Sequence, residues 1–104
     1  MGKTEKRERI SRLTVLALHL LEWRFQPANR GASWEAGIRV PRNRLVDHLD
    51  DNPSLKALTA DAMRIAYRDA VLEAVAETGL PRSAFPEACP WSFEQAKDAG
   101  FWPE

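Results

Sequence analysis

Between Lys3 and Gln26 the apolar residues Ile10, Leu13, Leu16, Ala17, Leu20 and Leu21 recur at intervals of three and four. That rhythm is one stripe of a helix turning every ~3.6 residues, and a strand, whose faces alternate, cannot satisfy it. Trp23 and Phe25 thicken the stripe at its end. Pro27 closes it, because the residue before a proline is pushed out of the helical region. A helix apolar along one side must bury that side against other elements, so the rest of the chain has to supply them.

The remainder continues in the same period. Ser33 is placed to cap a second helix over 33–50, with Trp34, Ile38, Leu45 and Leu49 on one stripe. Pro41 falls on that stripe and predicts a kink or a split. Asp50-Asp51-Asn52-Pro53 is a stop, after which Ser54 caps a third helix over 54–78. Its expected apolar side is Leu55, Leu58, Ala62, Ile65, Ala66, Leu72 and Ala76, and its many alanines leave room for a close neighbour. Gly79 before Leu80-Pro81 is a C-terminal stop. In the stretch 82–104, Ser92 with Gln95 forms a capping box opening a short helix to about Ala99. The aromatics Phe85, Trp91, Phe93, Phe101 and Trp102 cannot make a core of their own, so this tail is expected to dock across the longer helices. No strand alternation occurs. The reading is an all-α fold: one domain over 1–104, with three main helices in a small bundle, a short C-terminal helix and an aromatic, proline-rich tail.

Composition narrows the class. At 104 residues and 44% hydrophobic content the chain suits one globular domain. The longest apolar run, Leu13 to Leu21, is interrupted by Thr14 and His19 and is too short to span a membrane. No signal-peptide pattern follows the charged N-terminus, and Lys6 stands where a myristoylation motif wants Ser or Thr. The single cysteine, Cys89, excludes an internal disulfide and reads as a small packed side chain. A cytoplasmic protein is expected.

Formal net charge is zero, yet residues 1–44 carry ten Lys/Arg against four Glu, and residues 45–104 carry five Lys/Arg against eleven Asp/Glu. Basic helices pairing with the acidic side of the third helix (Asp61, Asp69, Glu73, Glu77) account for this asymmetry. The alternative is a basic stripe for phosphates. Arg39, Arg42 and Arg44 are its main candidates on the second helix, beside Lys3, Lys6, Arg7, Arg9 and Arg12 on the first.

Residues for catalysis or metal binding are sparse. His19 and Glu22 share a helix face, but a carboxylate-bridged metal site needs several such pairs. His48 lies between Asp47 and Asp51 at what reads as a solvated helix end. The serines are accounted for as caps or surface, and no nucleophile elbow, phosphate loop or zinc spacing is present. The residues point away from an enzyme and call for no cofactor or metal.

Several motifs carry a family resemblance. They are Leu20-Leu21-Glu22-Trp23-Arg24-Phe25-Gln26-Pro27, Arg30, Ser33-Trp34 and Ile38, then Asn52-Pro53-Ser54-Leu55, Ala66-Tyr67 and Glu77-Thr78-Gly79-Leu80-Pro81. The most specific are Phe85-Pro86-Glu87-Ala88-Cys89-Pro90-Trp91 and Phe101-Trp102-Pro103-Glu104. Together they resemble the bacterial domain of unknown function 29. The resemblance implies a helical fold and no known activity. It also implies that related chains carry an upstream helical segment, so this chain is either a short member, or a fragment or alternative start. Without that segment the first helix would expose Ile10, Leu13 and Leu16, and exposed apolar patches mark interfaces. The expected function is therefore a non-enzymatic protein-interaction or self-association module, with a nucleic-acid-binding accessory role as the alternative. The expected interaction surface is Ile10, Leu13, Leu16, Arg39, Arg42 and Arg44, and Trp23, Arg30, Trp34 and Tyr67 form an expected structural cluster.

Overall fold

The structure, a computed structural model, describes the backbone of residues 2–51 and 59–103 and the side chains of 7–51 and 60–103. It is all-α. Helix α1 spans Gly2–Phe25, α2 Ala32–Asp51, α3 Thr59–Thr78 and α4 Phe93–Lys97, with 3₁₀ turns at Pro27–Asn29 and Arg82–Ala84. The expected Ser54 cap and the side chains of Leu55 and Leu58 lie outside the described residues.

Helix α1 is the hub, packing on α3 and on α2, while α4 bridges α2 and α3. His19, late in α1, lies against Gly37, early in α2, so these two helices run antiparallel. Glu22, also late in α1, bonds Glu77 at the end of α3, so α1 and α3 run in parallel. Leu13, Leu16, Leu20 and Leu21 are fully buried between them. On α3 the buried alanines Ala62, Ala66, Ala70 and Ala74 repeat every four residues. A ridge of that kind lets the leucines of α1 approach closely. The packed face of α3 is turned from the expected one: Met63, Tyr67 and Val71 are inside, whereas Leu72 is 63% exposed and Ala76 is exposed.

Helix α2 departs from expectation at both points where a rule of local structure was applied. Gly31, not Ser33, stands before its first turn, its carbonyl accepting from Glu35 N at 2.9 Å. The helix also continues through Pro41, so the split that the proline allowed does not occur. An internal proline costs about 3 kcal/mol. Ile38 on one side of it and Leu45 and Leu49 on the other are all buried, so packing offsets that cost.

The glycine stop after α3 behaves as read. Gly79 adopts a left-handed φ of 75°, and its N–H donates to Val75 O at 3.0 Å. The Ser92–Gln95 box closes in both directions, with Ser92 N to Gln95 Oε1 at 2.9 Å and Gln95 N to Ser92 Oγ at 3.1 Å. Helix α4 ends at Lys97, two residues short of expectation, because Asp98 N turns back to Gln95 O at 3.1 Å.

The tail docks by its aromatics. Phe85 meets Phe25 edge-on at 5.1 Å, Trp91 meets Tyr67 at 6.2 Å, and Trp102 lies 4.7 Å from Trp23. Edge-on and tilted ring pairs of this kind are favourable beyond their buried area.

Candidate functional site

The surface expected on α1 does not exist. Leu13 and Leu16 are fully buried and Ile10 is half-buried, because α2 and α3 cover the stripe. The large apolar side chains exposed among the described residues are Val15, Val40 and Leu72.

The arginines expected as one basic stripe are divided. Arg42 is 2% exposed and points inward, its Nε donating to Ala96 O at 2.8 Å and its NH2 to Phe101 O at 3.0 Å. It ties α2 to the end of α4 and to the tail. Arg39 pairs with Glu35 at 3.4 Å and lies 5.0 Å over the Trp102 ring. Arg44 is exposed, in a hollow between α1 and α2 shared with Glu8, Arg12 and Asp47. Arg9 is buried as well, and Arg12 pairs with Glu8 one turn away. Arg64 meets Asp61 at 2.7 Å and Arg68 meets Asp69 at 3.1 Å, both within α3. His48 is buried rather than solvated, with Asp47 and Asp51 exposed beside it.

The expected structural cluster forms in part. Arg30 Nε donates to Trp23 O at 2.7 Å, and its guanidinium lies 5.1 Å over the Trp23 ring. This satisfies a carbonyl at the end of α1 that the helix leaves without an internal partner. Trp34 is half-buried at the start of α2. Tyr67 belongs elsewhere: its hydroxyl donates to Pro86 O at 2.6 Å, alongside the Trp91 ring.

That second cluster lies in a groove of about 750 Å³ between α3 and residues 87–94. Met63, Tyr67 and Trp91 form an apolar floor, with Phe93 beside them and Leu72 at one edge. Arg64 and Arg68 stand on the α3 wall, Glu87 and Glu94 on the tail wall. The tail wall is built, not draped: Arg82 NH1 donates to Phe85 O at 3.1 Å, next to the Tyr67 bond to Pro86. The groups in the groove that could react are muted. Burial pushes the Tyr67 hydroxyl up to about 12, with the nearby Cys89 adding to the shift. Burial likewise pushes the Cys89 thiol up, against a bond from Sγ to Trp91 O at 3.2 Å. A raised thiol pKa lowers the thiolate fraction that nucleophilic chemistry needs.

A separate titratable cluster sits where α1 and α3 end. His19 Nδ1 is 3.3 Å from Glu22 Oε1, and the Glu77 carboxyl hydrogen-bonds Glu22. Burial, then the Glu77 bond and its charge, push Glu22 up to about 7. Burial lowers the pKa of His19, partly offset by Glu77. Tyr67 is not part of this group, and among the described residues no three His, Cys, Asp or Glu side chains are arranged to hold a metal ion. The periodicity pairs His19 with Glu22, but only the parallel packing of α1 and α3 brings in Glu77. The α3–tail groove likewise had no signal in the sequence, because its two walls are about twenty residues apart and meet only when the tail folds back.

No helix among the described residues is long and apolar enough to cross a membrane. No curated protein and no solved structure matches the chain. A family model does, over residues 1–102, and the chain belongs to the family described as domain of unknown function DUF29.

Proposed function

We propose that this protein is a non-enzymatic interaction module that takes a segment of a partner protein into the groove between α3 and the tail. The observation that carries the reading is the groove itself: an apolar floor of Met63, Tyr67 and Trp91 flanked by walls of opposite charge. A fitting segment offers apolar side chains to the floor, acidic ones to Arg64 and Arg68, and basic ones to Glu87 and Glu94. Of the arginines' existing partners, Asp61 is exposed and Asp69 half-exposed. Such surface pairs contribute little and exchange readily. Leu72, 63% exposed at the groove edge, adds apolar contact area. The muted Tyr67 and Cys89 support binding over catalysis. A cytoplasmic location accords with Cys89 being a free thiol.

The test is affinity capture from the native lysate with the full chain, run in parallel with Leu72→Glu/Arg68→Glu and with Val15→Glu, which alters the α1 surface instead. The reading expects a protein lost from the first variant and retained by the second. It is overturned if capture needs nucleic acid and vanishes with nuclease, or if the groove variant binds as well as wild type.

A further inference from the structure

The groove between α3 and the tail offers a bound segment side chains rather than a backbone edge. Its α3 wall runs from Ala60 through Met63 and Tyr67 to Leu72, along one helical face that rises about 18 Å. The peptide groups of that wall are bonded within the helix. The tail wall is no sheet edge either, because it bends at Glu87, Ala88, Pro90 and Trp91. Strand addition draws on the N–H and C=O groups of alternate residues. On the alternation Ala88, Pro90 and Ser92, Pro90 has no N–H, and the Ser92 N–H is bonded to Gln95 Oε1. On the other, Glu87 O accepts from Arg82 NH2 at 3.4 Å and Trp91 O from Cys89 Sγ at 3.2 Å. An extended segment would therefore lay its own N–H and C=O groups over Met63, Tyr67 and Trp91 without partners. Backbone groups left so, away from water, are costly. A helix satisfies them within itself.

We infer that the segment taken by the groove is an amphipathic α-helix of about three turns, acidic on the flank facing α3 and basic on the flank facing the tail. This rests on the interaction reading above and names the partner's chemistry. Arg64 and Arg68 stand one turn apart, and carboxylates one turn apart on a facing helix match that spacing. Glu87 and Glu94 call for basic groups on the opposite flank. The present partner of Glu94, Lys97 at 3.4 Å, makes a surface pair that exchanges readily. The floor takes apolar side chains at i, i+3 or i+4 and i+7, the anchors by which a helix is read in a groove.

A random library of peptides about 16 residues long, displayed on phage and panned against the full chain, tests this. Leu72→Glu/Arg68→Glu, changed at two exposed positions, is panned beside it. Peptides enriched on wild type alone are expected to carry the helical apolar spacing, carboxylates one turn apart on one flank and Lys or Arg on the other. Titrated with the full chain, such a peptide should gain helical dichroism. Proline placed at its middle should weaken binding at least about tenfold. Wild-type-specific peptides that alternate apolar and polar residues, bind without gaining helix or tolerate the proline overturn the helix and leave the groove reading standing. If no enriched peptide separates wild type from the variant, the groove reading falls and the helix with it.

Discussion

Arg42 shows how a charged side chain becomes part of the framework. Its guanidinium is buried, gives two hydrogen bonds to carbonyls of the C-terminal stretch, and lies 5.7 Å over Trp102. Burial lowers its pKa, with Asp98 opposing. Removing it would strand the carbonyls of Ala96 and Phe101, and each buried group left unpaired costs about 1–3 kcal/mol. Arg42→Ala is therefore expected to lose about 3 kcal/mol in urea unfolding. Arg42→Lys should recover only part of that, because an ammonium lacks the planar fork and the stacking face. Its spacing marks it as internal: four residues after Ile38 and three before Leu45, it falls on the buried stripe of α2, whereas Arg39 and Arg44 fall beside that stripe. Only the folded-back tail supplies the carbonyls that its guanidinium meets.

At the scale of elements, local rules placed the helices well and their faces less well. Gly79 and the Ser92–Gln95 box stop and start helices through bonds made within a few residues, which is why they are legible in the sequence. Pro41 is the counterexample: a local rule is overridden when Ile38 and Leu45 are anchored on either side of it. Gly37 gives a further test inside α2. A Cβ there would meet the His19 ring at 3.7 Å, an ordinary contact. Gly37→Ala should therefore gain about 0.5–1 kcal/mol from helix propensity alone, read as a higher thermal midpoint. A loss instead would mean that α1 and α2 cannot yield even that small space. On α3 the regularly spaced alanines, not the larger apolar residues Ile65 and Leu72, became part of the fully buried face. Close approach between helix axes selects for small side chains.

At the scale of the molecule, 39 × 26 × 19 Å, the tail belongs to the core and is no appendage to it. Trp91 and Phe85 are as buried as many residues of the long helices. Trp91→Ala is expected to cost about 3 kcal/mol. It should lower one cooperative transition, with near- and far-ultraviolet dichroism melting together. A tail that melted separately would show that it folds on a helical body stable without it. The groove proposed for a partner depends on the same docking, so this variant should also weaken capture, whereas Val15→Glu should not.

The sequence by itself determined the helical class, the number and approximate extent of the helices, their stops and the need for the aromatic tail to pack. Each of these rests on interactions within a turn or two of the chain. Tertiary structure alone decided which face of α3 turns inward, that Leu13 and Leu16 are covered, which carbonyls the Arg42 guanidinium meets, and that Glu22 and Glu77 come together. It also made the groove between α3 and the tail. These features depend on how helices distant in sequence are rotated about their axes, and a rotation of a quarter turn changes every contact while leaving the periodicity untouched.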